Sequence, residues 1–265
     1  MLEVIGLKTY YQLGDCTVKS VDGVDFSLEK GEILGLTGES GAGKSTVGYS
    51  IMGYLPYPGK ITGGTILFRG SDLIADSRKF RWKEISMIFQ GAMNAMNPLL
   101  KIGKQINEVL KVHMKLHRSE RKERIKELLE LVRIDPKRAS DYPHQLSGGM
   151  KQRIMIAMAL ACNPAILIAD EPTTNLDVIT QKKIIDLLME LRQQFGLSVI
   201  FISHDLALIN RICERVAVFN NGKIIEYGRT DYVFNNPCHL HTKKLIDSVR
   251  IKEECKRQAK RSFAK

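Results

Sequence analysis

The sequence predicts an α/β fold: a core built on a mostly parallel sheet, an N-terminal antiparallel β lobe and an inserted α-helical subdomain. Three observations predict it. Apolar strand runs at residues 33–37, 165–169 and 198–203 alternate with helical segments, the pattern of parallel strands joined by crossover helices. Before the first run, shorter stretches with alternating polarity mark antiparallel strands. Between about residues 91 and 162, strand runs disappear and helical periodicity takes over.

The elements follow in order. Residues 4–11, 18–24 and 25–28 are expected to be short antiparallel strands. The buried strand 33–37 runs straight into a glycine loop, and Thr46 to Met52 has helical spacing, so this stretch reads strand, loop, helix. In the inserted segment Ile125, Leu128, Leu129 and Val132 fall at i, i+3, i+4 and i+7. Residues 154–160 are apolar nearly all round, which predicts a helix buried on several sides that leads back into the core. Strand 165–169, an amphipathic helix over 181–194 and strand 198–203 come next. Residues 215–219 and 223–227 flank Asn220-Asn221-Gly222, whose Asn-Gly pair favours a tight hairpin. The expected organisation is a single catalytic domain, with 1–90 and 163–235 as core and β lobe, 91–162 as the helical insert and 236–265 as a basic tail. No internal repeat or low-complexity stretch interrupts it.

Length and composition narrow the function classes. A chain of 265 residues, 44% hydrophobic, can bury a large core. No window reaches 18 consecutive apolar residues and the amino terminus lacks the features of a signal segment, so a cytosolic chain is expected. The five cysteines form no C-x-x-C pair, which argues against a zinc site, a redox motif or a disulfide framework. Forty Lys and Arg against 29 Asp and Glu give a formal charge of +11, a balance that suits nucleic acid, anionic lipid or a phosphate ligand without choosing among them. Part of the excess lies in Arg250, Lys252, Lys256, Arg257, Lys260, Arg261 and Lys265, read as a solvated tail.

Three motifs carry chemistry. Gly38-Glu39-Ser40-Gly41-Ala42-Gly43-Lys44-Ser45 fits G-x-x-x-x-G-K-[ST] in the strand-to-helix context its mechanism needs. Gly38, Gly41 and Gly43 let the backbone wrap closely, so that its N–H groups, including that of Ser40, surround phosphate oxygens at a helix amino terminus. Lys44 is placed to reach β- and γ-phosphates, Ser45 to ligate Mg²⁺ and Thr46 to add a phosphate contact. Asp170-Glu171 ends an apolar strand, where open α/β sheets bind ligands; Asp170 suits a metal's coordination shell and Glu171 a general base for water. Leu146-Ser147-Gly148-Gly149-Met150-Lys151-Gln152-Arg153 is a second glycine turn opening a helix, either another anion site or a plain capped helix.

That octet resembles the signature motif of ATP-binding cassette (ABC) ATPases, and the order of landmarks is similar to that family over nearly the whole chain. The resemblance implies a P-loop NTPase core, ATP and Mg²⁺ as ligands, and ATP hydrolysis. It implies that Gln90 senses the metal and the attacking water, that His204 contacts the γ-phosphate, and that Tyr11, or Tyr10 in the alternative register, stacks on adenine. Thr174-Asn175-Leu176-Asp177 resembles the loop through which two such subunits touch. It further implies that Ser147, Gly148 and Gly149 complete the partner's site, with ATP held between Lys44 of one protomer and the octet of the other.

Within the family, Asn94-Ala95-Met96-Asn97-Pro98-Leu99-Leu100 after Gln90, Tyr142-Pro143-His144-Gln145 before the octet and Met150 inside it resemble the dipeptide, oligopeptide and nickel importer branch. The resemblance implies a second ATPase subunit, a heterodimer rather than a homodimer, two membrane permease subunits and, indirectly, an extracytoplasmic solute-binding protein. The chain is then expected at the cytoplasmic face of the membrane as a peripheral subunit. Import of nickel or a metal–metallophore complex is the alternative. A cassette ATPase acting on nucleic acid or the ribosome is the rival class, but its usual coiled coil, zinc modules or second cassette are not visible, so no nucleic-acid partner is expected. Longer branch members carry clustered cysteines that hold an iron–sulfur centre. Cys238 and Cys255 cannot supply the four thiolates. Protein purified without oxygen is therefore expected to show no visible absorption band, and an iron-dependent band in its spectrum would contradict this.

Overall fold

The computed structural model describes residues 1–91 and 95–248. The basic residues from Arg250 onward, with Cys255, and Asn94 lie outside the described residues. In chain order the elements are β1 (Leu2–Leu13), β2 (Cys16–Leu28), β3 (Ile33–Gly38), α1 (Lys44–Met52), β4 (Gly59–Phe68), β5 (Ser71–Asp72), α2 (Leu73–Phe80) and β6 (Ile85–Ile88). The helices α3 (Ile102–His113), α4 (Arg118–Leu131) and α5 (Gly148–Ala159) follow. Then come β7 (Ile166–Asp170), α6 (Val178–Phe195), β8 (Ser198–Ile202), α7 (Leu206–Ile212), β9 (Arg215–Asn220), β10 (Lys223–Arg229) and α8 (Thr230–Asn235).

Two sheets result. The first is antiparallel with order β2-β1-β4-β5, and the second has order β10-β9-β3-β8-β7-β6. In the second sheet β9, β3, β8, β7 and β6 run parallel and only β10 is antiparallel. The expected α/β class, with β lobe and helical insert, is the observed one. Parallel strands buried on both faces read as near-continuous apolar runs, and β3, β7 and β8 are buried throughout, with polar residues confined to Thr37, Asp170 and Ser198 near their ends. Strand alternation divides them between two cores. Ile33, Leu167, Val199 and Phe201 face the core shared with α3 to α6, while Leu34, Ile168, Ile200 and Ile202 face the core shared with α1 and the β lobe.

The lobe differs from the sequence reading in two ways. Residues 18–24 and 25–28 belong to one strand, β2, because register shifts in the pairing with β1 absorb the irregularity around Gly23. The strand β4 was not anticipated: Gly59, Gly63 and Gly64 break its alternation. Gly64 is required by close approach, since a Cβ there would sit 2.4 Å from the carbonyl oxygen of Gly6 on β1. A third difference lies beyond α8. Residues 240–248 are helical and Ile246 is buried in the main core, so the expected tail is folded onto the body at least to that point.

The β9–β10 hairpin is the one its Asn-Gly pair predicts, with positive φ at both Asn221 (48°) and Gly222 (77°). Its tip reaches back to the front of the molecule. The N–H of Gly222 donates to the carbonyl of Ala42 (3.1 Å), and its carbonyl accepts from the N–H of Asp22 (2.8 Å), tying the glycine loop to β2.

Arg215, at the start of β9, joins both sheets. Its guanidinium pairs with Glu32 just before β3 and donates to the carbonyl of Ser27 on β2 (2.9 Å) and to the Tyr227 hydroxyl on β10 (2.6 Å). Burial pushes the Glu32 carboxyl up, but hydrogen bonds from Arg215 and from the N–H of Glu29 outweigh it and hold the pKa below its ordinary value. Arg215→Gln is expected to cost about 2 kcal/mol of stability at pH 7, measured by urea denaturation. The folded pKa of Glu32 is lowered, so the pair's stabilisation is present above the ordinary glutamate pKa and is lost as pH falls through the lowered value. The deficit of the variant should shrink over that acidic window, and a deficit independent of pH would contradict the assignment.

Candidate functional site

The glycine loop between β3 and α1 is shaped from behind. A Cβ on Gly38 (φ +137°) would lie 2.2 Å from the carbonyl oxygen of Phe219 on β9, and one on Gly43 (φ +101°) would lie 2.0 Å from that of Ser20 on β2. These two glycines are imposed by neighbouring backbone as much as by any ligand in front. Lys44 opens α1 and is almost wholly buried; its Nζ donates to the carbonyls of Gly38 (2.9 Å) and Glu39 (2.7 Å). Burial lowers its pKa, opposed by the charges of Glu171 and Asp170. Thr46 Oγ1 lies 2.8 Å from Ser20 Oγ. Ser40, Gly41, Ser45, Gln90 and Glu171 join these groups around a cavity of about 150 Å³.

Ser45 Oγ donates to Oδ1 of Asp170 (3.0 Å). Asp170 closes β7, is completely buried, and its Oδ2 has no hydrogen-bond partner among the described residues. Burial pushes its carboxyl up to about 6, with Ser45 and Lys44 pulling down and Glu171 pushing up. The next residue, Glu171, takes a positive φ of 45° while its N–H donates to the carbonyl of Ile202 (2.9 Å). That turn presents its carboxylate to three side chains. Oε2 accepts from Gln90 Nε2 (3.0 Å) and Thr174 Oγ1 (2.9 Å), and Oε1 lies 2.8 Å from His204 Nδ1. Burial would raise this carboxyl, but the bonds to His204 and Thr174 prevail and lower it.

The topology explains the convergence. Lys44 follows β3, His204 follows β8, Asp170 and Glu171 end β7 and Gln90 follows β6, and these are four adjacent strands. All five side chains therefore stand at the carboxyl ends of one run of parallel strands.

Four of the remaining sequence-predicted residues lie elsewhere. Ser147 caps α5 by accepting from the N–H of Met150 (3.4 Å), and Asp177 caps α6 by accepting from the N–H of Thr180 (3.0 Å). Gly149 packs against the same Thr180: a Cβ there would meet its Cγ2 at 2.7 Å. With Gly148 they form a second cluster at the amino ends of α5 and α6, and none lines the cavity around Lys44. Tyr11 also stays outside that cavity. It shares a strand face with Thr9, whose Oγ1 is 2.9 Å from Ser50 Oγ on α1, and its ring covers Gly59 on β4. Tyr10 points to the alternate face, its hydroxyl bound to Asp22 (2.6 Å). Sequence reading missed Ser20, which sits in a strand with nothing to mark it, and the Thr174 hydroxyl, whose hold on Glu171 follows only from the backbone turn.

No helix among the described residues is long and apolar enough to cross a membrane. The family model described as "ABC transporter" matches residues 21–174. The chain is 46% identical to the oligopeptide transport ATP-binding protein OppD of Bacillus subtilis, with 94% of this chain and 72% of that protein covered. It is 46% identical to the dipeptide transport ATP-binding protein DppD of the same organism (94% and 76%) and 42% identical to DppD of Escherichia coli (94% and 78%). Among solved structures it is similar to the dimeric ATP-binding cassette MJ0796 in a post-hydrolysis state bound to ADP and Pi, with TM-score 0.76, 28% identity and coverage of 87% of this chain and 99% of that one. It is also similar to CbiO1 of Clostridium perfringens, part of the CbiONQ transporter complex, with TM-score 0.74, 29% identity and coverage of 89% and 90%.

The buried carboxyl of Asp170 carries a stability cost. Its folded pKa is raised, so its favourable contribution is present below the ordinary aspartate pKa and is lost as pH rises through about 6. Asp170→Asn is expected to stabilise the nucleotide-free protein at pH 7.5 by on the order of 2–3 kcal/mol, with the gain fading to nothing below the ordinary aspartate pKa. Urea unfolding at several pH values checks this, and a variant no more stable at pH 7.5 would contradict it.

Proposed function

Because the chain belongs to the ABC transporter ATPase family, we propose that it is the ATP-hydrolysing subunit of an importer for dipeptides and oligopeptides. It binds ATP and is an ATP hydrolase. The peptide assignment rests on the relatives named for oligopeptide and dipeptide transport, which cover most of the chain. No observation favours nickel or nucleic acid.

The observation that carries the catalytic reading is the Glu171 carboxylate, bound at once by Gln90, Thr174 and His204 beside the glycine loop. Phosphoryl transfer needs mainly positioning and charge neutralisation. On this reading the loop's N–H groups receive the phosphates of ATP, and Lys44 exchanges the carbonyls of Gly38 and Glu39 for β- and γ-phosphate oxygens. Glu171 accepts the proton of the attacking water, its lowered pKa keeping it ionised at neutral pH and its three partners fixing its direction. His204, held by Oε1 of Glu171, meets the γ-phosphate. The residues present fit Mg²⁺: the unpartnered Oδ2 of Asp170, the Ser45 hydroxyl and the Gln90 amide are the oxygen donors a hard cation takes. Bound there, the ion would neutralise charge on the phosphates.

Ser147, Gly148, Gly149 and Asp177 are read as the half-site offered to a second ATPase subunit, with Lys44 and the octet of opposite protomers closing on one ATP. The similar cassette MJ0796 is dimeric, which supports this pairing. The proposed partner is a different ATPase subunit, and the pair would sit at the cytoplasmic face of the membrane beneath two permease subunits fed by an extracytoplasmic solute-binding protein. Tyr11 is read as the adenine-stacking aromatic, since the Tyr10 hydroxyl is committed to Asp22.

Glu171→Gln is expected to keep ATP affinity and lower the hydrolysis rate by about 10²–10⁴-fold, measured by binding titration and phosphate release. Near-normal hydrolysis would refute the general-base role. A strain lacking the subunit should lose uptake of labelled di- and oligopeptides and keep nickel uptake; the reverse pattern would refute the peptide assignment.

A further inference from the structure

The glycine loop has a further neighbour besides the β9–β10 hairpin and β2, and it comes from the far end of the described chain. Glu226 of β10 anchors this segment, its carboxylate accepting the backbone N–H groups of Cys238 (2.8 Å) and His239 (3.3 Å). Helical residues 240–248 follow, with Thr242 and Ile246 buried. The docking carries His241 to the loop. Its Nε2 is buried, has no hydrogen-bond partner among the described residues, and lies 3.8 Å from Oε1 of Glu39.

Glu39 is the residue on which the nearby lysine leans. Its backbone carbonyl accepts both Nζ of Lys44 (2.7 Å) and the N–H of Ala42 (3.2 Å), while its largely exposed side chain faces His241. One residue thus meets the ammonium through its main chain and the C-terminal segment through its carboxylate. A buried ring nitrogen without a partner is unfavourable, and a movement of about 1 Å by the exposed Glu39 side chain brings the pair into hydrogen-bond range. Nothing in the hydrolytic set uses His241.

We propose that His241 is a positioning residue for the glycine loop, acting through Glu39 to hold the conformation in which Lys44 receives the phosphates of ATP. The proposal rests on the reading of Lys44 as the phosphate ligand. When Lys44 leaves the carbonyls of Gly38 and Glu39, the loop loses two internal bonds. The His241–Glu39 contact replaces part of that restraint from outside, so ATP affinity depends on a segment some 200 residues away in sequence.

Calorimetric titration of the full-length chain with ATP tests this. His241→Ala and Glu39→Ala are each expected to weaken ATP binding by about three- to tenfold, the scale of one hydrogen bond. The double variant should be no weaker than the worse single one. His241→Gln, whose Nε2 reaches a similar point, should restore affinity, and in steady-state hydrolysis the effect should fall on KM with kcat within about twofold. Independent, multiplying effects of the two alanine variants, or wild-type affinity in both, would overturn the proposal. If His241→Ala does not fold, Glu39→Ala and His241→Gln decide the matter: unchanged affinity in Glu39→Ala overturns it. Lys44→Ala separates the two readings, because retained ATP affinity in that variant sinks the loop assignment itself, whereas its loss beside normal His241 and Glu39 variants sinks only the positioning role.

Discussion

Everything at the site depends on backbone meeting backbone behind the glycine loop. Gly38 has no room for a methyl group because the carbonyl of Phe219 occupies it, and Gly43 has none because of Ser20. The Gly222 N–H then pins Ala42 between them. Main chain from three places, the end of β9, the hairpin tip and the β lobe, therefore converges on one six-residue turn. Main-chain contacts depend little on side-chain choice, so the loop's shape follows from how the two sheets sit together, and Lys44, Ser45 and Thr46 inherit their positions from it.

The same arrangement sets the energetic character of the site. Asp170 is buried with one oxygen unpaired among the described residues, Glu171 adopts a left-handed backbone conformation that favours glycine, and Lys44 is buried near two carboxylates. Each feature opposes folding. The two apolar cores on either face of the six-stranded sheet offset them, and the Arg215–Glu32 cluster fastens the sheets together at the opposite ends of the strands. On the proposed reading, charge that is unfavourable in the bare protein would become favourable with phosphate and a cation in the cavity.

Much of this was legible in the residues themselves. The G-x-x-x-x-G-K-S run, the Asp170-Glu171 pair after an apolar strand and the Asn221-Gly222 hairpin each encode a local conformation, so short-range reading sufficed. The strand β4 was hidden because its glycines serve close approach to β1, a long-range demand that removes the side chains on which strand recognition relies. Ser20 was hidden for a related reason: its place in the cavity comes from a register shift beside Tyr10. The docking of residues 240–248 was masked by the charged stretch beyond them, although Ile246 and Thr242 are the residues that bury.

A Cβ on Gly149 would meet Cγ2 of Thr180 at 2.7 Å, so the amino ends of α5 and α6 pack together with no room for a side chain at residue 149. The octet and the Asp177 turn, separated by many residues in sequence, therefore lie side by side as one surface. A surface already packed in this way has less loop ordering left to lose when it seats on another. On the proposed reading a second subunit seats on that surface, so a substitution that enlarges residue 149 would disturb the octet and the Asp177 turn together.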